Sequence, residues 1–381
     1  MAWDSIIGQQ RVKRQLMSSL KQSRVSHAYL FVGHAGVGKD AVAIEFSKAL
    51  NCERQSNEAC DRCSSCLKFV ALQHPNLHLI FALPVGKGEE SGDQPLAKLS
   101  GDDIEIIQQQ LRLKSQNPYH VIVIPKATTI KVNSIREIRR MSSLSSVGSG
   151  RKVFIVLNAD MMNDEASNAL LKTLEEPSTD TVLILTTAYQ TALLPTIVSR
   201  CQIIRFDNLS ENEIRDALVN RDGIEKSRVD VIAHLANGSF TRALELMETN
   251  IADGRKKSVD FLRSTLFGSR DELLAMIDNL AAELSRIEIE NLLQALQLWL
   301  RDTMLMSEHI DRVVNIDDAD ALKNFTARYK NVDYASLQTE IDKAISLINK
   351  NVYIPLILIH LAIQLKKYIS AISMSHQRIA G

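Results

Sequence analysis

Tyr29 to Leu50 reads YLFVGHAGVGKDAVAIEFSKAL. Tyr29 to Val32 is a short apolar run of the buried-strand type, Gly33 to Gly38 a glycine-rich turn, and Ala41 to Leu50 has its apolar residues at helical spacing. Strand, glycine turn and helix are the context of a phosphate-binding loop. There the backbone N–H groups close on an anion at the positive end of the helix. Gly33, Gly38 and Lys39 meet the pattern G-x-x-x-x-G-K-[ST], with Gly36 inside the turn. Position 40 breaks it, because Asp40 stands where a hydroxyl normally meets the Mg²⁺ that bridges the phosphates. A carboxylate can ligate Mg²⁺, yet here it adds negative charge beside a triphosphate. The architecture is kept while its chemistry is damaged.

At 381 residues the chain has room for two or three domains, each with its own core. Acidic and basic residues balance at 45 each, so any contact with nucleic acid has to come from a local patch. The opening residues MAWDSIIGQQ lack the basic and apolar regions of a signal peptide. The apolar run Val352 to Leu365 is broken by Pro355, His360 and Gln364 and is too short for a membrane span. A soluble, cytoplasmic protein with no membrane partner is expected.

The chain has five cysteines, four of them at Cys52, Cys60, Cys63 and Cys66 with the spacing C-x₇-C-x₂-C-x₂-C. Four thiolates on one short loop can close a tetrahedral Zn²⁺ site with no open position, which makes its expected role structural. Unpaired surface thiols are the plainer alternative. His74 and His78 read as loop residues rather than ligands, and Pro84 to Lys98 (PVGKGEESGDQPLAK) as a mobile surface insertion.

Further strands are predicted at Tyr119 to Ile124, Val153 to Leu157 and Thr181 to Thr186. Helices are predicted at Gln10 to Gln22, Thr129 to Leu144 and Asn163 to Glu176. The alternation implies a largely parallel sheet covered on both faces. Beyond Glu211 the strand signal disappears. Glu211 to Glu248 reads as a small helical unit interrupted at Asn237-Gly238, and Lys256 to Ser373 as a larger one. Leu292, Leu293, Leu296, Trp299 and Leu300 mark its buried stripe.

Several segments, taken in order, resemble the AAA+ subunits of the bacterial DNA polymerase III clamp loader, the delta-prime family in particular. They are WDSIIGQ from Trp3, HAYLFVGHAGVGK from His27, the four-cysteine insertion, NALLKTLEEP from Asn168, LLPTIVSRC from Leu193 and NVYIP from Asn351. The resemblance implies an α/β RecA-like AAA+ P-loop domain over 1–207, with its zinc module at about 52–66. A small helical lid domain over 208–252 and an all-α collar domain over 253–381 would follow. It also implies a hetero-pentameric ring with the ATPase (gamma/tau) and delta subunits, which opens a sliding clamp and places it on primer-template DNA. In that family the arginine of Ser-Arg-Cys reaches a neighbour's ATP, a role that falls here on Arg200 between Ser199 and Cys201. The plainer reading of Arg200 is a solvated residue at a strand entrance.

The departures from the family pattern cluster on one site. Active members end the third strand in Asp-Glu, whereas this chain has Leu157 and Asn158 there. Asp164-Glu165 lies beyond that strand and reads as the first turn of a helix capped by Asn163. In GSFTRAL from Gly238, Thr241 stands at the sensing-arginine position and Arg242 follows it. With Asp40, these changes imply that the chain's own ATP/Mg²⁺ site does not work, while Arg200 survives to act in trans. The competing expectation is an ATP-hydrolysing gamma/tau-like subunit that uses Asp40 as an unusual metal ligand. Lys131, Arg136, Arg139 and Arg140 would offer positive charge to DNA phosphates, or form a solvated helix face.

Overall fold

The computed structural model describes residues 3–54, 58–90, 92–143, 146, 150–178, 180–222, 226–248, 251–308, 319–349 and 352–370. Asn351 of NVYIP and the last predicted helical residues, 371–373, lie outside these.

Continuous apolar runs make the sheet. AYLFV in β1 (Ala28–Val32), KVFIV in β3 (Lys152–Val156) and TVLILTT in β4 (Thr181–Thr187) are buried nearly throughout, as strands covered on both faces must be. Short edge strands β2 (Leu77–Ile80) and β5 (Gln202–Arg205) complete an all-parallel sheet in the order β2–β3–β4–β1–β5. Tyr29 pairs with Ile184 of β4 and Gln202 of β5, and Val32 pairs with Arg205.

In chain order the helices of this α/β part are α1 (Gln10–Lys21), α2 (Lys39–Leu50), α3 (Ser64–Val70), α4 (Gly101–Gln116), α5 (Val132–Ser142), α6 (Asp164–Glu175) and α7 (Pro195–Val198). α5 and α6 bring Ile135, Ile138 and Leu170 onto Phe154 and Leu183 of the sheet. Asn163 caps α6 by accepting from the Ala166 N–H at 2.9 Å, so Asp164 and Glu165 do lie in a first helical turn.

One predicted strand is absent. Residues 119–124 run without strand pairing between Pro118 and Pro125, and Val121 and Val123 are exposed. The Val123 N–H donates to Gln110 Oε1 at 3.1 Å instead of to a neighbouring strand. The edge position belongs to β2, so His78, expected in a loop, lies in a strand. The insertion is anchored at one point at least. The Glu89 carboxylate accepts from Lys131 Nζ at 2.7 Å and from the Gly86 N–H at 2.9 Å.

Contacts divide the chain into two units, Met1–Gly223 with Ala236–Arg242, and Ile224–Leu235 with Ala243–Gly381. The first holds the sheet, α8 (Glu211–Asp222) and the Asn237-Gly238 break, where both residues have positive φ. The second is helical among the described residues. It contains α9 (Lys226–Leu235), most of α10 (Phe240–Glu248), α11 (Ile251–Phe267), α12 (Arg270–Glu283), α13 (Arg286–Ser307), α14 (Ala319–Arg328), α15 (Tyr334–Asn349) and α16 (Ile354–Ser370). The predicted stripe on α13 is buried against α11, α14 and α15, with Trp299 edge-on to Phe325 at 5.1 Å. Capping boxes at Ser269/Glu272 and Ser285/Glu288 start α12 and α13. No helix among the described residues is long and apolar enough to cross a membrane.

Candidate functional site

β1 delivers the chain to the phosphate loop and α2 leaves it. Gly36 and Gly38 have φ of +77° and +98°, the left-handed region that glycine adopts freely. Gly36 also has no room for a side chain, since a Cβ there would lie 2.0 Å from Ser239 Oγ. Gly33 backs onto Phe206. The loop therefore has the expected form, but its polar groups have other partners. Lys39 is buried, and its Nζ donates to the Gly33 and His34 carbonyls at 2.8 and 2.7 Å. Burial lowers its pKa; Asp40 and Asp160 oppose that, and Lys114 adds to it.

Asp40 takes part in a network that the sequence reading missed. Its Oδ2 accepts from Lys114 Nζ at 2.8 Å and its Oδ1 from Thr186 Oγ1 at 3.1 Å. Burial would push this carboxyl up, but Lys114, Lys39 and the Thr186 hydroxyl hold it below the usual carboxylate range. Leu157 is buried, and Asn158 has φ of 51° with its N–H on Thr186 Oγ1 at 3.2 Å. Neither position supplies a carboxylate. Thr241 donates through Oγ1 to the Tyr119 carbonyl at 2.9 Å, and the Phe240 N–H donates to the Gly36 carbonyl at 3.0 Å. The first residues of GSFTRAL thus lie against the loop. A cavity of about 320 Å³ remains, lined by Lys39, Phe81, Ile124, Leu157 and Met161 among others.

Arg200 follows α7 at the opposite end of the sheet. β1 and β5 are parallel with Tyr29 opposite Gln202, so Arg200 precedes β5 near the level where β1 begins. The loop starts only after Val32. The two ends are separated by roughly 20 Å along the strands at ~3.3 Å per residue. The Arg200 side chain is 37% exposed, with Nη2 on Glu175 Oε1 at 2.9 Å and Nη1 on the Thr196 carbonyl at 3.1 Å.

The four cysteines converge between α2 and α3, and their Sγ atoms all lie within 4.8 Å of one another. Thiolates around a tetrahedral Zn²⁺ at ~2.3 Å stand about 3.8 Å apart, so the cluster can hold such an ion with little movement. Cys63 caps α3 by accepting from the Cys66 N–H at 3.4 Å. His74 is no ligand: its Nδ1 accepts from the Asn76 N–H, which leaves Nε2 to donate to Ser65 Oγ, both at 3.1 Å.

Lys48 joins this module to α2. Its ammonium, 1% exposed, meets Glu45 at 2.8 Å and also Asp61. Two carboxylates share one buried cation. Burial pushes Glu45 up to about 7 against the pull of Lys48, with Asp61 adding to the rise. A carboxyl raised in the folded state contributes stability at acid pH that is lost as pH rises through the folded value. Glu45→Gln removes that loss, so its melting temperature should gain on the wild type as pH goes from 5 to 8. A difference that does not change with pH would mean that Glu45 stays ionised.

The basic residues of α5 are less uniform than their spacing suggests. Lys131 is 9% exposed, and its ammonium is taken up by Glu89 and the Pro95 carbonyl. Arg136 and Arg140 are exposed and pair with Glu165 and Glu137, and Arg139 is exposed.

The family profile described as "DNA polymerase III, delta subunit" matches residues 8–210, just over half of the chain. The Bacillus subtilis DNA polymerase III subunit delta' is 30% identical over 252 residues, which are 66% of this chain and 63% of that one. The subunit tau of the same organism is 30% identical over 258 residues, covering 66% and 38%. This chain thus matches less than two thirds of the length of either. The crystal structure of a DNA polymerase III gamma subunit-related protein from Thermotoga maritima, 16% identical, aligns over 93% of this chain and 99% of that one with a TM-score of 0.42. With its phosphate loop, parallel sheet and four-cysteine module in the matched region, the chain belongs to the DNA polymerase III delta subunit family.

Proposed function

We propose that the chain is a delta-prime-type subunit of the clamp loader that hydrolyses no ATP itself and lends Arg200 to the ATP site of a neighbouring subunit. One observation carries this reading. Arg200 is partly exposed at the end of the sheet away from its own loop, so a phosphate that it meets belongs to another chain. The loop supports the other half. Hydrolysis depends on positioned Mg²⁺ and water, and Asp40, Leu157 and Asn158 serve neither. Its partners are then the ATPase (gamma/tau) and delta subunits in a hetero-pentameric ring in the cytoplasm, with a sliding clamp and primer-template DNA as substrates. Domains over 1–207, 208–252 and 253–381 serve as core, lid and collar. Zn²⁺ on Cys52, Cys60, Cys63 and Cys66 is structural.

Reconstitution with candidate ATPase, delta and clamp proteins tests this. Clamp loading should need this chain, and the isolated zinc-loaded chain should turn over no ATP. Turnover that disappears in Lys39→Ala would make the chain an ATPase in its own right.

A DNA contact through α5 rests on the outward Arg136, Arg139 and Arg140, with Lys131 securing the insertion beneath them. Such contacts are salt-dependent and indifferent to sequence. Arg136→Glu with Arg140→Glu should reduce the salt slope of DNA binding by the assembled loader by about 2, at ~0.9 per phosphate contact. Unchanged binding would leave α5 a solvated face.

A further inference from the structure

We infer that the Lys114 ammonium is a cation built into the chain in the place that a phosphate loop normally gives to its divalent metal, so that this site takes no magnesium-nucleotide. The inference rests on the proposed reading of the site as non-hydrolysing and supplies its physical cause. The residue after the loop lysine is the one whose side chain ordinarily faces the metal. Here it is Asp40, whose carboxylate meets Lys114 Nζ at 2.8 Å.

Lys114 arrives from α4, 74 positions along the chain, and its side chain is 2% exposed. Its other oxygen partner is the His120 carbonyl at 2.7 Å. A carboxylate and a carbonyl are the oxygens that a hard cation recruits. One ammonium against one carboxylate leaves no net negative charge to draw in Mg²⁺.

The neighbouring groups agree. Lys39, which would hold the β- and γ-phosphates, caps the loop's own carbonyls. Tyr119, five residues beyond Lys114, lies with its ring atoms 3.2 Å from the point where a Gly38 Cβ would stand. Its hydroxyl accepts from the Ile7 N–H at 2.9 Å and its carbonyl from Thr241, which holds the segment over the loop. Asp40 and Lys114 are therefore a matched pair. A hydroxyl at position 40 would leave the buried ammonium without its carboxylate, a large cost. The departure from the loop pattern and the lysine from α4 have one explanation.

The test uses the full-length, zinc-loaded chain and Mn²⁺ as the probe, read by its electron paramagnetic resonance. Wild type should bind no Mn²⁺ beyond background. Lys114→Ala exposes the Asp40 carboxylate and should gain one Mn²⁺ per chain, together with a melting temperature that rises with added Mg²⁺. Both gains should vanish in Lys114→Ala/Asp40→Asn, which has no carboxylate at position 40 to hold a cation. Asp40→Ser/Lys114→Ala, which restores the loop hydroxyl without a charge, should gain Mg²⁺-dependent binding of a fluorescent ATP analogue, and it keeps the test open if Lys114→Ala does not fold. Folded variants that show neither gain overturn the inference, as does a wild-type chain that binds Mn²⁺ as well as Lys114→Ala. Those outcomes leave the proposed function standing as long as the wild type turns over no ATP. Wild-type turnover lost in Lys39→Ala would remove that function whatever the Mn²⁺ result.

Discussion

Arg200→Ala should lower DNA-stimulated ATP hydrolysis at the one interface it serves by roughly 10³-fold or more, the range measured for arginine fingers in phosphoryl transfer. A guanidinium is planar and permanently charged, so it compensates charge on the transferring group. Arg200→Lys keeps the charge without the fork and should restore part of the rate. The other ATP sites of the ring should continue to turn over. Before it can act, the side chain has to leave Glu175, a pair whose side chains are 37% and 50% exposed. Exposed pairs are worth about 0.2–1 kcal/mol, whereas a 10³-fold rate effect corresponds to about 4 kcal/mol. Loss of that pair is a small cost beside the expected rate effect. Zinc content and ring assembly should be unaffected, since the Arg200 side chain is partly exposed and its hydrogen bonds run to Glu175 of α6 and Thr196 of α7. Wild-type rates from a fully assembled Arg200→Ala complex would make the residue a structural one.

Removal of the metal should have the second large effect. Metal analysis of protein purified without chelator should find one zinc per chain. Structural zinc sites supply about 10–16 kcal/mol of apparent binding energy in small peptides, and much of it is folding energy. Stripping the ion, or Cys63→Ser, should unfold the stretch from the end of α2 to about Val70. Cys63 is both a candidate ligand and the cap of α3. The link from Lys48 to Asp61 should then fail too, which exposes a lysine that is now buried. Hydrogen exchange over this stretch, with and without chelator, is the measurement. Exchange that is the same in both states, with zinc absent throughout, would contradict a metal role for the four cysteines.

Local patterns were legible wherever a single segment carries its own reason. The β1–loop–α2 unit, the Asn163 cap and the α13 stripe all depend on neighbours within a few positions. The edge strands were not. β2 and β5 span four residues each, too few for periodicity to separate them from loop. HVIVI has strand composition, but two prolines and the Gln110 side chain take it out of the sheet. At the site, the departures from the loop pattern were visible at Asp40, Leu157 and Asn158. The partner of Asp40 was not, because nothing in the residues around Lys114 refers to it. The basic spacing on α5 was equally silent about Lys131 turning to Glu89.

The cover over the phosphate loop also has a history within each molecule. Gly36 receives its hydrogen bond from Phe240, and Asp40 from Lys114 and Thr186. On the ribosome these partners emerge one after another. At about 5–20 residues per second, Phe240 follows the loop by roughly 10–40 s. During that interval Lys114 and then Thr186 become available to Asp40, while the Gly36 carbonyl still waits for Phe240. The order of synthesis thus makes the contact from Phe240 to Gly36 the last of these to form.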